Sequence, residues 1–66
     1  MYRYYLYGEV NRRKIKTRRF KTRAGAEKAL SKILSNKGLQ VYADRRVGHT
    51  EEFVCNYYTR FYVERT

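Results

Sequence analysis

Along residues 2–10, YRYYLYGEV, the side chains alternate. Tyr2, Tyr4, Leu6, Gly8 and Val10 fall on one face, and Arg3, Tyr5, Tyr7 and Glu9 on the other. A period of two with aromatic and β-branched residues predicts a strand whose first set faces a core. Asn11-Arg12-Arg13 follows, and Asn tolerates the left-handed backbone of a turn. KIKTRRFK, residues 14–21, then predicts a second strand that closes a hairpin. Ile15 and Thr17 share a face but Phe20 is out of phase, so a bulge or a strand end near Arg18-Arg19 is expected.

From Arg23 to Lys37 the period changes. Ala26, Ala29, Leu30, Ile33 and Leu34 form a helical stripe, with Glu27, Lys28, Ser31, Lys32 and Ser35 towards water. Thr22 is the expected N-cap. Lys37 in the last turn, Gly38 at C′ and Leu39 at C″ mark the stop. LQVYADRRV, residues 39–47, returns to alternation, with Leu39, Val41 and Ala43 inward and Gln40, Tyr42 and Asp44 outward. Gly48-His49 makes a turn. Residues 51–64 are long for one strand and are expected to bend or split near Asn56 or Thr59. Phe53, Cys55, Tyr57, Phe61 and Val63 share its inward parity, and Val54, Asn56, Tyr58, Arg60 and Tyr62 the other.

The order is therefore ββαββ. It predicts one α+β domain over residues 1–66, with one helix on a mostly antiparallel four-stranded sheet. A single helix covers one sheet face. The other is left open, carrying Arg3, Tyr5, Tyr7, Tyr42, Tyr58, Arg60 and Tyr62.

Composition supports a folded chain. Eleven of the 66 residues are aromatic, eight of them Tyr, whereas disordered chains lack aromatics. The N-terminus has no long apolar run, which argues against a signal peptide or a membrane span. A membrane partner is not expected either, because the helix needs its apolar stripe for the core and its polar face is only modestly basic. The Met start and tail-less end read as those of a complete short gene product. Cys55 is the lone cysteine, so no internal disulfide can form, and a reducing cytoplasm is the simplest setting. With His49 it is too little for a zinc site. No metal and no cofactor is expected. His49, Glu51 and Glu52 are the nearest approach to an acid–base cluster. They read better as a turn residue with two solvated carboxylates, so an enzyme is not expected.

Charge sharpens the picture. The net charge is +10, and it is local. Residues 1–23 hold nine Lys or Arg against Glu9 alone, while residues 24–66 hold seven against five acids. Residues 11–23, NRRKIKTRRFKTR, carry eight cations and no acid. An edge strand needs only two or three charges to deter aggregation. A localised basic field attracts polyanions, nucleic acid first. Arg12, Arg13, Lys14, Lys16, Arg18 and Arg19 are the expected phosphate contacts. Arg3, Tyr5, Tyr7, Tyr42, Tyr58, Arg60 and Tyr62 are expected to stack or pack on the sheet face. Tyr2, Tyr4 and Tyr57, on the inward parity, are expected to be structural.

The segment RRFKTRAGAEKAL, residues 18–30, resembles the strand-to-helix junction of the arm-binding domains of phage-type tyrosine recombinases. There too Phe-Lys-Thr leads into an Ala-rich helix after a basic hairpin, and the sheet contacts duplex DNA. The likeness spans roughly the first half of the chain. It departs in strand count, since those domains place three strands before the helix. What it implies is DNA in preference to RNA. The rival expectation is a protein partner. A short basic protein of a phage or mobile element would inhibit or adapt an acidic or nucleic-acid-handling host protein through the same Tyr/Arg face, or form a homodimer through it.

Overall fold

A computed structural model describes all of residues 1–66. Strand β1, Tyr4–Val10, turns back into a partner in two pieces, β2, Arg13–Lys14, and β3, Arg18–Phe20. Helix α1, Arg23–Lys37, follows, and then a meander of β4, Ala43–Val47, β5, Thr50–Asn56, and β6, Thr59–Arg65. Every pairing is antiparallel. The sheet order is β2-β1-β6-β5-β4, with β3 also on β1. The class is α+β as expected, but six strands replace four. The second strand is interrupted, and the long last segment folds back on itself at Tyr57-Tyr58.

The interruption has a local cause. Glu9 opposes Lys14, whereas Leu6 opposes Arg18, so three steps along β1 match four along its partner. The extra residue switches parity. Ile15 and Phe20 therefore both reach the core, which one regular strand could not allow.

The helix matches its signals closely. Thr22 has an extended backbone, and its hydroxyl accepts a 3.1 Å bond from the Gly25 N–H. Gly38 adopts the left-handed conformation at φ 65°, and Leu39 N–H donates to the Leu34 carbonyl at 2.8 Å. The apolar stripe buries Ala26, Ala29 and Leu30. They meet Leu6, Cys55, Phe61 and Val63 from the sheet, and Tyr4, Val10, Ile15, Phe20, Ile33, Leu34, Leu39, Val41 and Phe53 rim this small core. Cys55 sits in it as an apolar filler, and burial pushes its thiol pKa up. Gly8, opposite Phe61, lets β6 approach β1 closely. A Cβ there would meet the Phe61 Cα at 2.8 Å, and φ is +153°.

Several expectations fail for one reason, that alternation holds only inside a paired strand. Residues 39–42 are coil rather than strand, because Leu39 is spent on capping the helix. Ala43 then pairs with Val54 on the open face instead of facing inward. Tyr2 precedes β1 and is 51% exposed, not inward. Tyr57 lies in the β5–β6 turn and is 78% exposed, not part of the core. Thr59, which no apolar pattern singles out, is fully buried.

Candidate nucleic-acid interface

The β1–β2 turn is a two-residue loop, Asn11-Arg12, with φ 50° and 70°. Positive φ at both positions is the pattern of a type I′ turn. Glycine usually takes the second position, and Arg12 bears about 1–2 kcal/mol there for its Cβ. Contacts with the neighbouring β5–β6 turn offset that cost. Asn11 N–H donates to the Thr59 hydroxyl at 3.1 Å, and Arg12 N–H donates to the Tyr58 carbonyl at 3.1 Å. The Arg12 guanidinium lies 4.2 Å above the Tyr58 ring centroid. Tyr58 N–H donates to Asn56 Oδ1 at 2.8 Å and tightens its own turn. Tyr57 meets Tyr58 edge-on, with centroids 5.1 Å apart. Two hairpin tips, far apart in sequence, are thus fastened into one.

The basic residues of the hairpin spread around an edge rather than over one face. Opposite residues in a ladder share a face. Lys14 and Arg19 therefore join Glu9 and Tyr5 on the open side, while Arg13 and Arg18 join Val10 and Leu6 on the helix side. Lys16 is exposed in the bulge, and Arg12 is at the tip. The Arg18 guanidinium lies 5.2 Å over the Phe20 ring. Beside it an open groove of about 450 Å³ runs between β3 and the helix, with Lys28 and Lys32 on its wall. The helix thus extends the basic edge with cations that the sequence pattern assigned only to solvent.

The open face differs from its expected Tyr/Arg character. Register places Glu9, Glu52 and Glu64 on it with Tyr5, Tyr7, Tyr62 and Arg60. Tyr7 and Tyr62 stack on each other, 5.1 Å between centroids and 18° between planes. The Tyr7 hydroxyl donates to Glu64 Oε1 at 2.7 Å. Burial and then this bond push its pKa up to about 12. Glu52 lies 3.6 Å from Arg45 and 3.9 Å from Arg60. Arg60 Nε is buried without a hydrogen-bond partner. Tyr42 and Tyr58 are not on this face: Tyr42 is 80% exposed ahead of β4, and Tyr58 is in the tip. Arg3 lies beyond the start of β1, exposed, its backbone tied to Phe20 and Thr66. The carboxylates could have been read from the sequence, since Glu9 and Glu64 share the parity of Tyr7 and Tyr62.

At the opposite end of the sheet Glu51 gathers two of the arginines, while Arg3, Lys21 and Arg65 there make no ion pair. Glu51 accepts from Arg23 and lies 3.8 Å from Arg46, and Arg23 also holds Glu27 at 2.9 Å. The hydrogen bond to Glu51 holds the Arg23 guanidinium above its usual pKa. Desolvation, and then Glu51, raise the pKa of Asp44. A pocket of about 240 Å³ here is lined by Arg23, Arg46, His49, Glu51 and Arg65 among others. Glu51 pairs with Val63 on the helix side, whereas Glu52 pairs with Tyr62 on the open side. His49, Glu51 and Glu52 therefore do not converge. No group of three metal-ligating side chains gathers anywhere, and no helix is long and apolar enough to cross a membrane.

No family model, curated protein or solved structure matches the chain.

Proposed function

We propose that this chain is a small nucleic-acid-binding protein that engages the phosphate backbone with its hairpin edge. One observation carries the reading. All five ion pairs use Arg23, Arg45, Arg46 or Arg60, so none of the seven Lys and Arg between Arg12 and Lys21 has a carboxylate partner. Unpaired, exposed cations repel one another and contribute little to the fold. Phosphates relieve that repulsion, and displaced counterions supply the free energy. Arg12, Arg13, Lys14, Lys16, Arg18 and Arg19 hold the backbone, with Lys28 and Lys32 alongside. The resemblance of residues 18–30 to a DNA-contacting junction favours DNA over RNA. The cytoplasm, where the Cys55 thiol stays reduced, is the proposed setting.

Fluorescence anisotropy across a salt series tests this. Replacing Arg12, Arg13 and Lys14 together by Ala is expected to weaken binding to every sequence roughly 10- to 100-fold and to flatten the log K versus log salt slope by about 2–3. An unchanged slope would remove the backbone role.

The three carboxylates on the open face favour a second reading for that surface alone. Glu9, Glu52 and Glu64 repel phosphate, whereas a mixed Tyr, Arg and Glu surface suits a protein. In that reading the chain inhibits or adapts a nucleic-acid-handling host protein, such as a defence nuclease, or pairs with a second copy, and the same carboxylates disfavour an acidic partner at this face. Binding of DNA and RNA no better than a lysine-rich peptide would favour it. Light scattering tests the homodimer.

A further inference from the structure

The joined hairpin tips hold a feature that backbone binding does not use. Tyr57 is 78% exposed, although the chain spends several interactions on fixing the ground beneath it. Tyr58 meets it in a T-shaped contact, Arg12 covers Tyr58, and the Asn56 side chain closes the turn. Both tips are tied through Thr59 and the Tyr58 carbonyl. Arg12 keeps a positive φ, where glycine would remove the strain but also the guanidinium. Arg12, Arg13 and Lys14 of the first turn make no ion pair, whereas Arg60 is engaged by Glu52 at 3.9 Å. A solvent-facing ring on a fixed support beside Arg12, Arg13 and Lys14, which make no ion pair, matches the stacking platforms that bind unpaired bases. The stacked Tyr7–Tyr62 pair does not offer this, since each ring has the other for a partner and carboxylates flank them.

We infer that the tip is a site for one unpaired base, stacked on Tyr57 with its flanking phosphates on Arg12 and Arg13. The protein's preferred ligands are then single strands, or duplexes with gaps or frayed ends, rather than continuous duplex. This rests on the nucleic-acid reading above.

The test compares labelled oligo-dT with a fully paired duplex of equal length, on the wild type, Tyr57→Ala and Tyr57→Phe. Tyr57 is exposed enough for both variants to fold, which circular dichroism checks. Tyr57→Ala is expected to weaken oligo-dT binding by about 5- to 150-fold, the range found for a lost base–aromatic stack. Duplex affinity and both salt slopes stay as in the wild type. Tyr57→Phe restores oligo-dT binding, because the ring and not the hydroxyl stacks. A 5-iodouracil in the strand crosslinks to Tyr57 on irradiation. Equal losses on both probes, or no loss on oligo-dT, would overturn the inference and leave backbone binding standing. No binding of either probe by the wild type would overturn both.

Discussion

The two ends of the sheet solve the same problem differently. At the end holding Glu51, Arg23 and Arg46 share one carboxylate, and Tyr7 and Glu64 join across β1 and β6. At the hairpin tip, Arg12, Arg13 and Lys14 make no ion pair, although Glu9 lies opposite Lys14, and the tip is held by backbone donors, a buried threonine and a cation–π contact instead. Part of the charge at the first end is spent within the protein, since Arg23 and Arg46 are paired while Arg3, Lys21 and Arg65 are not. Charge at the second is left for something outside. A net charge of +10 therefore says less than the location of its unpaired part.

The largest effect that breaks this contrast comes from the seam that brings the ends together. Gly8→Ala would force a Cβ against the β6 backbone at a positive φ. We expect a loss of roughly 3 kcal/mol or more in urea unfolding, enough to unfold a domain this small at moderate temperature. A loss below about 1 kcal/mol would mean that β1 and β6 separate easily, and that the tip is not held rigid.

Tyr7→Phe has a smaller effect. It keeps the stack on Tyr62 and removes the bond to Glu64, for about 1 kcal/mol at this partly exposed position. The pH dependence follows from the raised pKa. The folded protein favours the protonated phenol, so its contribution is full below pH 10 and is lost as pH rises through about 12. The stability difference between wild type and Tyr7→Phe should shrink over that window. In an absorbance titration one tyrosine should ionise late in the wild type and be missing from the variant.

Glu51→Gln is expected to do least. Its partners Arg23 and Arg46 are exposed, so loss of these ion pairs should move the urea midpoint least of the three variants. The salt slope for nucleic acid should not change, in contrast to the hairpin triple variant. A change in slope would show that the far end also meets phosphate.

Much of the architecture is legible in short stretches of the chain. The helix runs between the expected cap and stop because Thr22, the stripe from Ala26 to Leu34 and Gly38 act within a turn or two of themselves. The bulge that reconciles Ile15 with Phe20, and the break near Asn56, are local conflicts of parity that the backbone had to relieve. The candidate site is less legible. Tyr57 carried an inward parity, and only the turn at 57–58 ended that count and put the ring in solvent.

By itself the sequence determined the class, the helix and its ends, the first hairpin and the concentration of positive charge in residues 11–23. These depend on periodicity, capping and composition, which act over a few residues. Only the tertiary structure decided which cations stay unpaired, which acids share the open face, and that two turns become one tip. Those outcomes depend on contacts such as Asn11 with Thr59 and Tyr7 with Glu64, 48 and 57 residues apart. Such contacts follow from strand order and register, and no local pattern specifies that β6 inserts between β1 and β5.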